Sequence, residues 1–127
     1  MTNDSEDFRL LAYRAGFLLM RNNSGAARDA TGRQVRYGLG NDSAELCRVR
    51  KSSDWIGIAP SGRFLAIEQK PRGWKFTNTE HERAQLAFLN DVLRRGGIAD
   101  FATCWFEVEA LLLAFHEKFT AQSARLS

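Results

Sequence analysis

The sequence predicts an α/β fold in which a mixed four-stranded sheet is flanked by helices. Three observations lead there. Short apolar runs recur at 17–20, 54–59, 63–70 and 98–104, each of strand length rather than helix length. Pro60-Ser61-Gly62 separates the middle two runs by a tight turn, which makes them an antiparallel hairpin. Thr79 with Glu82 three residues on is a capping-box signature, and the helix it opens fills the gap before the last run and allows a parallel crossover.

Taken in order, Asp4 or Ser5 can cap a first helix, with Glu6 and Asp7 in its acidic first turn. Phe8, Leu11, Ala12 and Ala15 form one apolar face, and Gly16 can close the helix at its C′ position. Phe17 to Met20 reads as a buried strand. Residues 21–53 are polar and rich in Gly, Asn, Asp and Arg, so most of this stretch is expected to be loop, with Arg33 to Tyr37 open to an extended reading. Asp54 to Ala59 and Arg63 to Lys70 are the hairpin strands, and Pro71-Arg72-Gly73 ends the second. The capped helix runs to about Arg95, with Ala84, Phe88, Leu89, Val92 and Leu93 for its apolar side, until Gly96-Gly97 stops it. Ile98 to Cys104 reads as a third central strand, and Val108, Leu111, Leu112, Phe115 and Phe119 mark a last amphipathic helix.

The chain has 127 residues, which fits one domain over 1–127. Its composition, 44% apolar and 26% charged, is that of a globular protein and not a disordered one. No apolar run approaches the about 20 residues of a membrane span, and Met1 to Asp7 is too polar for a secretory signal. Cys47 and Cys104 show no metal-ligand spacing and read as reduced thiols, so a cytoplasmic location is expected. The net charge of +3 is unevenly spread: residues 9–51 hold nine Arg or Lys against three Asp or Glu, and residues 63–76 hold four against one. Clustered Arg fits a phosphate-bearing partner, with a solvated basic face as the alternative.

The hairpin carries the chemistry. Side chains alternate along a strand, so Phe64, Ala66, Glu68 and Lys70 share one face, and Leu65, Ile67 and Gln69 the other. Asp54 opens the neighbouring strand at about the same distance from the turn as Glu68, so the two carboxylates can meet at one end of the sheet. Paired carboxylates repel unless a cation lies between them. Mg²⁺ prefers one or two carboxylates together with water and phosphate oxygens. Lys70 beside them can stabilise developing negative charge. An ordinary ion pair at an exposed strand end is the alternative, since Glu-x-Lys alone is a common triplet.

Ser53 to Gly57, Gly62 to Lys70, Gly73-Trp74, Gln85 and Gly96 to Ala99 together resemble the VRR-NUC branch of the PD-(D/E)XK nucleases. Arg21 to Gly25 and Val35 to Leu39 also resemble its stand-alone phage and bacterial members, so the resemblance spans roughly residues 11–105. It implies Mg²⁺ or Mn²⁺ held by Asp54 and Glu68, with Gln69 lending a backbone carbonyl. It also implies that Lys70 is the catalytic lysine and that Gln85, the helix glutamine, organises the site. The activity implied is phosphodiester hydrolysis, often on branched or structured DNA and often by a homodimer. Family members carry a further Glu on the first helix. Glu6 is the candidate here, although the helical wheel points it away from the Phe8, Leu11, Ala15 face and leaves a first-turn charge as the alternative. Glu45 is the other substitute.

Arg21 and Asn22 follow the first strand and are candidates for phosphate contact, with a turn as the alternative. Arg48, Arg50 and Lys51, just before Asp54, are candidates for DNA backbone binding. Arg72, Trp74 and Lys75 form a basic-aromatic group in which Trp74 is open to two readings, stacking on a base or packing half-buried. Trp55 and Trp105 read as core, His81 as a polar helix-start residue and His116 as surface. The expected function is a Mg²⁺-dependent DNA endonuclease acting at junctions or flaps. A DNA-binding module of the same fold that cuts poorly is the alternative.

Overall fold

The computed structural model describes residues 4–119, with side chains from residue 8 onward. The elements in chain order are α1 (Asp4–Arg14), β1 (Leu18–Arg21), β2 (Gly25–Arg28), β3 (Gln34–Tyr37), α2 (Ala44–Val49), β4 (Trp55–Ile58), β5 (Phe64–Gln69), α3 (Glu80–Arg94), β6 (Ile98–Ala102) and α4 (Trp105–Ala114). The main sheet has four strands in the order β1-β4-β5-β6. β1 and β5 run antiparallel to β4, and β6 runs parallel to β5 across the α3 crossover. This is the expected mixed sheet flanked by helices.

Both faces of the sheet are covered. Leu65 and Ile67 of β5 look towards α1 and α4, in a core with Phe8, Ala12, Phe17, Trp55, Ile98, Trp105, Val108 and Leu112. Ala66 looks the other way and packs with Ala99 of β6 and with Leu89 and Val92 of α3. Aromatic rings fill the first core: Phe8 stacks on Trp55 with centroids 6.0 Å apart and meets Trp105 edge-on at 6.2 Å. β1 approaches β4 so closely that a Cβ on Gly57 would sit 2.0 Å from the Leu18 carbonyl oxygen. Only glycine fits there. The capping box predicted at Thr79 and Glu82 is present at the head of α3.

The structure adds to one expectation and corrects two others. First, residues 21–53 are largely loop and turn as expected, and the extended reading of 33–37 is β3, but β2 pairs with it in a separate two-stranded sheet and the short helix α2 follows. Asp29 builds their turn, accepting from Thr31 N, Thr31 Oγ1 and Arg33 N, with Gly32 at φ +85°. Ser43 caps α2 by accepting from Leu46 N. These elements bury almost nothing, so their sequence has no apolar period to read.

Secondly, β6 is an edge strand and not a central one, and it ends at Ala102. Its run looks central because α3 and α4 cover its two faces. Thirdly, α4 starts at Trp105 and stops at Ala114, short of Phe119. His116 adopts φ +61° just beyond it, and Phe115 and Phe119 pack on the core from outside the helix. Leu93 also departs from its expected role and is largely exposed. Among the described residues no helix is long and apolar enough to cross a membrane.

Candidate active site

Asp54, Glu68, Lys70 and Gln85 meet at one end of the sheet, where β4 begins and β5 ends. The register dictates this. Trp55 pairs with Ile67, so Asp54 falls opposite Glu68. The backbone N–H of Asp54 donates to Glu68 Oε2 at 3.2 Å, and Asp54 Oδ2 accepts from Gln69 N at 3.1 Å. Glu68 is 4% exposed, because α3 lies over its face of β5. Gln85, from the second turn of α3, donates through Nε2 to Glu68 Oε1 at 2.8 Å and accepts from Lys70 Nζ at 2.7 Å. Gln85 therefore bridges the carboxyl and the ammonium.

Lys70 is held from a second side. Its Nζ lies 5.3 Å from the ring centroid of Trp74 and 5.6 Å from that of Phe101, and the two rings pack at 4.8 Å. Glu82 fixes Trp74: its Oε2 accepts from Trp74 Nε1 at 3.0 Å, and its Oε1 accepts from Thr77 N and Thr79 N, each at 3.0 Å. These donors, led by the Thr79 amide, hold the Glu82 carboxyl down at about 2. Trp74 thus takes the packing role, on Lys70 and Phe101.

Burial raises the Glu68 carboxyl to about 8, helped by the negative charge of Asp54 and opposed by Lys70 and by the hydrogen bond that Glu68 accepts from the Asp54 amide. The Glu68 carboxyl therefore holds its proton near neutral pH. Donor chemistry fits a divalent cation in place of that proton, since Mg²⁺ takes one or two carboxylates and leaves its remaining positions to water and phosphate. Among the described residues no three His, Cys, Asp or Glu side chains converge, so Asp54 and Glu68 stand as a pair. Gln69 reaches the site through its backbone, while its side chain accepts from Trp55 Nε1 at 2.9 Å. The Glu6 side chain lies outside the described residues. Glu45 is an exposed first-turn charge on α2.

Asp54 and Glu68 lie in a polar cleft of about 470 Å³, lined also by Arg21, Asn22, Tyr37, Lys51, His81 and Gln85. Arg21 sits with its guanidinium 5.3 Å from the Trp55 ring and donates to Asn23 Oδ1 at 2.9 Å. Lys51 is half-buried in the cleft lining, and its backbone N–H donates to Ala84 O of α3 at 3.0 Å.

Asn22 also lines the cleft, but it is 9% exposed and its amide is occupied: Nδ2 donates to Ser52 Oγ and Ser53 O, and Oδ1 accepts from Leu39 N. It ties β1, the loop after β3 and the start of β4 together. Arg48 is exposed on α2, beside a neighbouring hollow lined by Arg36, Glu80 and His81. Arg50 turns elsewhere. It pairs with Asp91 of α3 and lines a different cleft, with Arg63, Phe64 and Phe88. Arg72 and Lys75 are exposed in the turn after β5.

Two cleft residues escaped the sequence reading. Tyr37 arrives on the β3 strand, which had no apolar signal. His81 does have one, its i, i+4 spacing to Gln85 on a capped helix. Its Nε2 lies 3.2 Å from Gln85 Nε2. Comparison with protein-family models, with curated proteins and with solved structures finds no match for this chain.

Proposed function

We propose that this protein is a metal-dependent DNA nuclease with a PD-(D/E)XK-type core of the VRR-NUC kind. The observation that carries the proposal is the buried Glu68 carboxyl set against Asp54 and tied through Gln85 to Lys70. A carboxylate pair, a lysine and a helix glutamine at the end of a mixed sheet are the parts the resemblance calls for.

Asp54 and Glu68 would hold Mg²⁺ or Mn²⁺, with the backbone carbonyl of Gln69 beside them. The cation supplies Lewis acidity towards a phosphoryl oxygen and a lower pKa for water. The chain's own residues do the rest. Lys70, held between Gln85 and two aromatic rings, would counter charge that develops on a phosphodiester bound at Asp54 and Glu68. Gln85 keeps Glu68 and Lys70 in register. Arg21 and Lys51 flank the cleft and would hold neighbouring phosphates of a DNA strand.

Junction or flap DNA remains the expected substrate class. The test is a labelled panel of linear duplex, single strand, flap and four-way junction, each with and without Mg²⁺. Cleavage of none of them in Mg²⁺ or Mn²⁺ would remove the nuclease assignment. The alternative, a DNA-binding module that cuts weakly, is favoured by the lack of a third acidic ligand among the described residues. DNA binding without cleavage on the same panel would select it.

A homodimer belongs to the proposal as well. Phe106 and Leu113 of α4 and Leu10 and Tyr13 of α1 are exposed on two helices that pack together. Light scattering coupled to gel filtration decides between a dimer and the 14.3 kDa monomer.

A further inference from the structure

We propose that His81, as a neutral imidazole, is a positioning residue of the candidate site, accepting the second amide proton of Gln85 and so fixing Gln85 between Glu68 and Lys70. The proposal rests on the nuclease reading for its functional consequence, but its geometry stands apart from that reading.

The Gln85 amide has one orientation that its neighbours permit. Lys70 Nζ has only protons to offer, so the atom 2.7 Å from it must be the carbonyl oxygen. The amide nitrogen then faces Glu68 Oε1 at 2.8 Å and His81 Nε2 at 3.2 Å. It carries two protons, one for each. An amide N–H facing an imidazole nitrogen is attractive only when that nitrogen holds no proton. The contact therefore specifies the tautomer with the proton on Nδ1, and it excludes the imidazolium.

The surroundings agree. Burial and the ammonium groups of Lys51 and Lys70 lower the pKa of His81, against opposing pulls from Asp54 and Glu82. Lys51 comes from the segment before β4, Asp54 from the start of β4, Lys70 from the end of β5 and Glu82 from α3 itself. On its other side His81 shares a hollow with Arg36, Arg48 and Glu80. The charges facing it from other elements are thus mainly cationic and disfavour a second proton.

The consequence is mechanical. Gln85 with all three bonds made has no freedom to turn. Without the His81 acceptor, or with His81 protonated, the amide loses one bond or meets N–H against N–H. The pair of bonds to Glu68 and Lys70 then loosens together.

The test is nitrogen-15 NMR of the full chain without metal, between about pH 5 and 8, following the His81 ring and the Gln85 side-chain amide. The expected result is an unprotonated Nε2 at neutral pH and a Gln85 amide signal that moves with the His81 midpoint, below the usual histidine value. His81→Gln offers an oxygen near the Nε2 position and does not titrate. It should hold the Gln85 signal at its neutral-pH place through that midpoint, and any movement left in this variant belongs to Glu68. A proton on Nε2 at neutral pH, or a Gln85 signal blind to His81 titration, would overturn the proposal. In the cleavage assay His81→Ala should lose about 10–100-fold, as outer-shell partners of such sites do, and His81→Gln should recover most of it. If the wild type does not cut at all while the NMR result holds, the nuclease reading fails and the positioning role stands.

Discussion

Asp54 and Glu68 lie side by side across β4 and β5, with the Asp54 amide donating to Glu68 Oε2 at 3.2 Å. The Asp54 carboxylate is held in turn by the Gln69 amide. Two acids packed this way cannot both ionise cheaply inside a protein. Glu68, the buried member, therefore keeps its proton well above the ordinary carboxylate range.

The first expectation is a stability profile. Glu68 has its carboxyl raised from 4.5 to about 8 in the folded chain. Its contribution is fully present below the unfolded value of 4.5 and is lost as pH rises through about 8. Thermal melts in a chelator should show stability falling across that window. Glu68→Gln should flatten the fall, and a variant profile parallel to the wild type would contradict the assignment. If Mg²⁺ binds as proposed it would displace the proton on Glu68, so its binding near pH 7 should release protons, measurable by titration calorimetry in buffers of different ionisation enthalpy.

Glu68→Gln should also abolish cleavage while leaving DNA affinity within about a few-fold, because phosphate contacts carry most of the affinity. Cleavage at the wild-type rate would take Glu68 out of the site.

Lys70→Ala should cost about 10²–10³ in rate, the ordinary size for a group that stabilises developing charge. Trp74→Leu keeps Lys70 and removes one wall of its aromatic cradle, so it should lose rate by a smaller factor. Saturating Mg²⁺ should restore neither, and full restoration would mean that Lys70 acts only on metal affinity.

DNA binding should weaken steeply with salt. If about six phosphates are neutralised, the log–log slope is on the order of −5. Lys51→Ala should make the slope shallower by about one, whereas Arg50→Ala, which breaks a pair with Asp91 away from the cleft, should not. An equal effect from both would argue against the cleft as the path of the strand.

Gly57→Ala tests the sheet itself. A methyl group there meets the backbone of β1, which cannot rotate away. The expected loss is about 1–3 kcal/mol, the usual range for overpacking, read from a denaturant midpoint.

Apolar patterning located the strands and helices of the main sheet, though not the edge position of β6 or the end of α4. The hairpin pairing put Asp54 beside Glu68, period-2 alternation put Gln69 on the opposite face, and the capping box located α3 and hence Gln85. The reading missed β2 and α2, where burial is slight. They are built from turn chemistry and exposed residues, so no pattern of inward positions marks them, and only β3 was open to an extended reading. Nor can sequence show a side chain's partners. Asn22 was read as a candidate phosphate contact near the site, and the structure places it in the cleft with its amide bonded to Ser52, Ser53 and Leu39. Arg50 was placed by sequence distance from Asp54, yet α3 supplies Asp91 to draw it away. Trp74 was undecided until Glu82 was seen to hold its indole.

The excursion between β1 and β4 has a consequence for how the molecule opens. None of the buried apolar residues of either core cluster falls between residues 20 and 54. Its local unfolding free energy should therefore be well below that of the sheet it springs from, a separate cooperative unit in hydrogen exchange. Amides of β2, β3 and α2 should exchange early, while those of β4 and β5 wait for global unfolding. Tyr37 travels with that unit, and Asn22, Lys51 and Asp54 stand at its roots. One wall of the cleft can then swing aside at small cost while Asp54 and Glu68 stay fixed, which would let a bulky polymer enter without threading an end.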